Sequence, residues 1–341
     1  ILRVLGMGGF GITYTARDLL LGREVVIKEN LPEISARREK ETLQVVPRNS
    51  EEIDGFNLAL KSFVREARTL ASFEHPNIVR VLNMFYANGT AYFVMPFERG
   101  RSLEEEIADR EQSENWFSVS EIRNLLGPVL EALDVLHRQN VFHRDIKPQN
   151  ILITESGTPI LIDFGAARRK VADQALTVLE SPGYTPFEQC QDGGGIGPWS
   201  DLYGLAGTVY RALTLRIPPN AQSRLGTKDP IIKLSGFASK PEEKLLFNLL
   251  DEALETSIEN RPLDVKVWKR RLEEVSRANR QKADQRTDPA PGELVGPNPF
   301  LNGRPSFRRI LDRWTRAAKW HPSLGVVGVG ALLLVLSMCV G

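Results

Sequence analysis

Apolar positions fall into two regimes along this chain. Near its start they come in short runs rich in β-branched and aromatic residues: Ile1-Leu2-Arg3-Val4-Leu5, Ile12-Thr13-Tyr14-Thr15-Ala16, Val25-Val26-Ile27 and Ala91-Tyr92-Phe93-Val94-Met95. Such runs predict strands, because these side chains suit a pleated, half-buried surface. Phe63, Ala67 and Leu70 fall on one helical face, and residues 119–138, 241–254 and 262–275 carry apolar residues at helical spacing. Pro159-Ile160-Leu161-Ile162 predicts a short buried strand leading into Asp163. The charge-rich piece Ala36-Arg37-Arg38-Glu39-Lys40-Glu41, within a long link from Glu29 to about Leu60, reads as a solvated surface loop.

Helical periodicity ends near Ser276, and residues 277–323 turn polar and proline-rich (Asp288-Pro289-Ala290-Pro291-Gly292), which marks a linker. Residues 324–340 carry no charge; as a helix they reach about 25 Å, close to the ~30 Å hydrocarbon core. At a chain end, after a linker, nothing would bury such a helix in protein, so a transmembrane helix over 324–341 is expected. Arg304, Arg308, Arg309, Arg313, Arg316 and Lys319 precede it, with Phe307, Ile310, Leu311 and Trp314 on one helical face. This basic amphipathic segment, 304–320, suits an anionic lipid surface. By the positive-inside rule it places the preceding domain in the cytoplasm, tethered to the cell (inner) membrane by a single span. The chain begins inside a strand, with neither Met nor signal peptide, which reads as a piece of a longer protein.

A length of 341 residues allows about two domains, and 42% apolar content is globular. A net charge of +1, without a basic stripe interleaved with aromatics, gives no general affinity for nucleic acid. Two distant cysteines, Cys190 and Cys339, suit a reduced compartment, and no Cys or His spacing indicates zinc.

The chemistry concentrates in His143-Arg144-Asp145-Ile146-Lys147-Pro148-Gln149-Asn150 and, 18 positions after Asp145, Asp163-Phe164-Gly165. Asp145 can accept the proton of an attacking hydroxyl, and Lys147 can neutralise charge on a transferred phosphoryl group. Asn150 and Asp163 supply the hard oxygen ligands that Mg2+ on phosphate oxygens demands. Together these strings resemble the eukaryotic-like (Hanks-type) Ser/Thr protein kinases, and Gly8-Gly9-Phe10-Gly11-Ile12-Thr13-Tyr14 is similar to their bacterial membrane-tethered members. The resemblance covers residues 1–275. It implies an α+β, bilobal protein kinase fold: a small β-rich N-lobe over about 1–96 and a larger helical C-lobe over about 99–275. The linker over 276–323 and the transmembrane helix over 324–341 follow it.

Further motifs fit that resemblance. Gly6, Gly8 and Gly11 of Gly6-Met7-Gly8-Gly9-Phe10-Gly11 would let backbone N–H groups approach phosphates, and the following strand separates this string from dinucleotide folds, where a helix follows. Lys28 would hold the α- and β-phosphates, oriented by Glu66. Met95 would be the gatekeeper before the hinge Pro96-Phe97-Glu98, with the N–H of Glu98 serving adenine. Leu5, Val26 and Leu152 would sandwich the purine; Val26 and Thr13, departing from the family's Ala and Val, imply a tighter, more polar pocket. Ser181 resembles the hydroxyl that bridges Asp145 and Lys147 in Ser/Thr-directed members. Glu188 is expected to pair with Arg261, and Asp201, with Gly204, to cap the backbone of the turn at Arg144. His143 reads as structural, while His75, His137 and His321 read as ordinary. Thr177 is a candidate phosphorylation site facing Arg144 and Arg168. Implied partners are ATP, Mg2+ (with Mn2+ as an alternative), protein substrates, the membrane, and a second copy for trans-autophosphorylation. Gln149 stands where an acidic residue often selects basic substrates, so no basophilic preference is inferred. A pseudokinase scaffold is disfavoured because Lys28, Glu66, Asp145, Asn150 and Asp163 are all present. Antibiotic kinases share the His-x-Asp…Asn pattern but lack a segment like 181–188.

Overall fold

The apolar runs of the first hundred residues build one antiparallel sheet, in the order β1-β2-β3-β7-β6. Its strands are β1 (Arg3–Gly8), β2 (Gly11–Asp18), β3 (Arg23–Asn30), β6 (Asn83–Ala87) and β7 (Thr90–Pro96). The computed structural model describes residues 1–164, 181–191, 194–225 and 231–284. Helix α1 (Ile53–Ala71) lays Phe63, Val64 and Ala67 against Ala91 and Phe93 of β7, with the Phe63 and Phe93 rings 4.8 Å apart.

The link before α1 is not the solvated loop expected. Strands β4 (Ala36–Arg38) and β5 (Val45–Pro47) form a hairpin, and α1 begins seven residues earlier than Leu60, at Ile53. Ala36, Val45 and Phe56 are buried together, and Arg38 turns inward to pair with the buried Glu29. A charged residue that neutralises an interior carboxylate looks like surface in a sequence.

The helical lobe has α2 (Leu103–Gln112), α3 (Val119–Arg138), α4 (Pro198–Thr214), α5 (Pro241–Ala253) and α6 (Val265–Asp284) around one apolar core. A small sheet, ordered β10-β9-β8, comprises β8 (Gly100–Ser102), β9 (Ile151–Thr154) and β10 (Pro159–Leu161). Helix α3 begins where Ser118 and Glu121 form a reciprocal cap. Helix α6 starts at Val265 rather than Pro262, because Asp264 accepts the N–H of Val267 at 2.8 Å. It also runs past Ser276 to Asp284, so the first residues of the expected linker are helical; Arg, Lys, Gln and Ala there are good helix formers. The lobes are stitched by Val79 N–H to Leu161 O (3.0 Å) and Leu161 N–H to Asn77 O (2.9 Å). Thr177, Arg168, the segment 304–320 and the apolar stretch 324–341 lie outside the described residues. Among those described, no helix is long and apolar enough to cross a membrane.

Buried ions hold the elements that carry the chemistry. Asp201, in the first turn of α4, accepts the N–H of His143 (3.0 Å), the N–H of Arg144 (2.7 Å) and Nε2 of His137 (2.7 Å). His137 is therefore part of the anchor and not an ordinary helix residue. Burial opposes the charge of Asp201, but the His137 and Arg144 bonds outweigh it and hold its pKa below the ordinary 3.8. Gly204 faces the same turn; a Cβ there would lie 2.8 Å from Ile146 O. Arg261, as expected, meets Glu188 through two bonds, of 2.8 and 3.2 Å, while Ser200 Oγ donates to the same carboxylate at 2.8 Å.

Arg261→Met strands the Glu188 carboxylate and is expected to lower unfolding free energy by about 3–5 kcal/mol in urea titrations. A loss under about 1 kcal/mol would show that the pair does not hold this segment. His143 is fully buried against Phe164, and burial pushes its pKa below the ordinary 6.5. The unfolded chain takes up that proton near pH 6.5 and the folded chain only lower, so stability is complete above that pH and falls as pH drops through it. His75, also depressed by burial, adds to the same slope. His143→Phe is expected to flatten the fall below pH 6.5, and an unchanged slope would acquit His143.

Candidate active site

Cross-strand register brings the expected nucleotide residues to one face of the N-lobe sheet. Thr13 pairs with Lys28, Lys28 with Phe93, and Val26 with Met95, and residues directly opposite each other share a face. That face also receives α1, so Lys28 Nζ reaches Glu66 Oε1 at 3.1 Å. It reaches Asp163 Oδ1 at 2.6 Å, although Asp163 comes from the other lobe. Asp163 takes the left-handed conformation, φ 60°, which turns its carboxylate back toward the cleft while Phe164 packs on His143.

The glycines of the β1–β2 turn divide by purpose. A Cβ at Gly6 or Gly8 would meet nothing within 4 Å, so those positions face open space. A Cβ at Gly11 would lie 1.9 Å from Glu29 O, so Gly11 is required by the close approach of β3 and not by phosphate. Leu5 sits at a register shift in β1 and is 43% exposed, while Val26 and Leu152 are half-buried. Glu98 is exposed just beyond the end of β7.

On the opposite side of the cleft, the segment after α3 presents Asp145. Its Oδ2 accepts Lys147 Nζ at 2.9 Å and Asn150 Nδ2 at 2.9 Å, and its Oδ1 accepts the Ser181 hydroxyl at 2.9 Å. Lys147 Nζ also donates to Ser181 Oγ at 3.0 Å. A serine hydroxyl is thus held between the Asp145 carboxylate and the lysine. Asn150 spends its amide N–H group on Asp145, which leaves its Oδ1 for a cation. That oxygen and the half-exposed Asp163 carboxylate form a hard donor set of two, fitting Mg2+ that takes its remaining ligands from phosphate and water. No larger cluster of His, Cys, Asp or Glu able to hold a metal occurs among the described residues.

Two participants were not legible in the sequence. Gln189 Nε2 donates to Arg144 O at 2.9 Å, tying the segment after Ser181 to the turn that carries Asp145. Glu29, next to Lys28 but on the outer face, accepts the Tyr14 hydroxyl at 2.7 Å and bonds Tyr92 and Arg38 as well. Burial first, and the Glu29 bond second, push the Tyr14 phenol up to about 12. The inward-facing Arg38 was the available signal for this cluster, and it reads as surface charge.

Residues 1–262 match the family described as protein kinase domain. The chain is 33% identical over 227 residues to serine/threonine-protein kinase PrkC of Bacillus subtilis (strain 168), covering 65% of this chain and 31% of that protein. It is 35% identical over 214 residues to serine/threonine-protein kinase PknK of Mycobacterium tuberculosis (strain ATCC 25618 / H37Rv), covering 62% of this chain and 17% of that protein. The chain therefore spans less than a third of these curated relatives. Among solved structures, PpkA-294 in its apo form superposes with a TM-score of 0.69 at 33% identity, over 79% of this chain and 94% of that one. The PknI kinase domain of M. tuberculosis gives 0.57 at 25% identity, over 82% of this chain and 94% of that one. Since the match runs from the glycine flap through Asp145 and Asp163 to Arg261, this chain belongs to the protein kinase domain family.

Proposed function

We propose that this chain is a Ser/Thr protein kinase, moving the γ-phosphoryl group of ATP to hydroxyls of protein substrates. The observation that carries the reading is the Ser181 hydroxyl between Asp145 and Lys147, at 2.9 and 3.0 Å, which supports Asp145 as the base for a hydroxyl acceptor. In the reaction, the acceptor oxygen bonds to the γ-phosphorus, the bond to the β,γ-bridging oxygen breaks, and the acceptor proton passes to Asp145. Lys147 balances charge on the moving group, and Lys28, steered by Glu66, holds the α- and β-phosphates. Mg2+, when held by Asn150 and Asp163, supplies charge neutralisation on the phosphate oxygens; Mn2+ meets the same ligands.

The membrane reading continues this proposal. Residues 324–340 are uncharged and apolar, and six Arg and Lys side chains between 304 and 319 precede them. A single span with the kinase domain on the cytoplasmic side follows, with signalling through Thr177 phosphorylation in trans between two copies. A phosphate on Thr177 would add about −1.5 to −2 charges near Arg144 and Arg168 and order that segment.

Purified full chain with radiolabelled ATP is expected to label itself on Ser and Thr but not Tyr, with Thr177 among the sites. Asp145→Asn and Asp163→Asn should each cut labelling by about 10²-fold or more. Equal labelling in all three proteins would leave a nucleotide-binding scaffold instead. In cells, the full chain should stay in the pellet after alkaline carbonate washing, and a chain ending at 323 should enter the supernatant. Release of both would end the spanning reading.

A further inference from the structure

The β4–β5 hairpin is attached to α1, to the sheet and to the glycine-rich turn. It packs on the start of α1, where Phe56 is buried against Ala36 and Val45 and the chain at Gly55 comes close to Ser35. It is fixed to the sheet by Val45 N–H donating to Asn88 O at 2.8 Å, and by Arg38 on the buried Glu29 carboxylate. Its base also reaches the flap: Glu33 N–H donates to Gly9 O at 3.0 Å, and Arg48 Nε, beyond the hairpin, clamps Glu33 O at 2.6 Å.

Phe56 lies ten residues before Glu66 on the same rigid helix, about 15 Å along its axis. Whatever fixes the first turn of α1 therefore limits how far Glu66 can swing from Lys28. We propose that this hairpin is a built-in positioning element: Phe56 and Arg38 hold α1 so that Glu66 stays on Lys28, aligning the phosphate-binding lysine from within the chain. Neither residue touches substrate; both act through the Lys28–Glu66 pair. The inference rests on the kinase reading for its activity measurement.

The test is a double-mutant cycle on the full chain, with kcat and KM for ATP read separately. Phe56→Ala and Arg38→Met are each made in the wild-type and in the Glu66→Gln background. Each is expected to lower kcat/KM about tenfold alone and less than about twofold once Glu66 is gone, because interacting residues are non-additive. Arg38→Lys should recover most of the loss, and Lys40→Ala at the exposed hairpin tip should behave as wild type. Amide exchange in residues 53–66 should quicken in both variants while residues 119–138 keep their protection. Equal losses in both backgrounds would reduce the hairpin to fold stability, and no loss in either would remove its role. If Phe56→Ala does not fold, Arg38→Met decides alone. An inactive wild type would instead sink the kinase reading, a distinguishable failure.

Discussion

One ammonium group set between two carboxylates organises this cleft. Lys28 stands on the sheet, Glu66 on α1 and Asp163 at the end of the helical lobe's small sheet, and the lysine bonds both at 3.1 and 2.6 Å. Only 12% of its side chain is exposed, against 49% for Asp163. The contact with Glu66 is therefore shielded, while the contact with Asp163 opens to the cleft and is weakened by solvent. That asymmetry suits a nucleotide site. The inner pair fixes where the lysine points, and the outer carboxylate is the one that faces solvent.

The second fixed point is Asp201, and its arrangement explains why a short irregular segment can hold Asp145 in place. A turn carrying Arg144 at φ 65° cannot satisfy its own N–H groups, so a buried carboxylate from α4 accepts two of them. His137 from α3 completes the carboxylate's needs. The segment from α3 to Asn150 is thereby referred to two helices of the core, and Asp145 inherits their rigidity. Functional side chains on loops work when the loop is over-determined in this way.

The sequence was most legible where chemistry forces residues close together. Asp145, Lys147 and Asn150 lie within six positions, so their convergence needs only a local turn, and Asp163 follows one short hairpin later. Lys28 and Glu66 are 38 positions apart, and their pairing could be expected from the family resemblance, whereas composition alone would have left both on the surface. The β4–β5 hairpin escaped because three-residue strands carry no usable alternation and because its Arg38 faces inward. His137 escaped for a related reason: a histidine near a helix end looks the same whether it meets solvent or a buried aspartate.

Strand alternation joins these features. Successive side chains of β3 point to opposite faces, so Lys28 enters the cleft and Glu29 enters the outer cluster of Tyr14, Tyr92 and Arg38. A one-residue slip of β3 would send a carboxylate into the cleft and bury an ammonium beside Arg38. The outer cluster, with no contact to a nucleotide, thus specifies the register that the inner lysine needs. Gly11 enforces the same register from β2, because its missing Cβ lets Glu29 O lie where any other residue would collide. Residues remote from the reaction therefore help to determine which side of the sheet carries the positive charge.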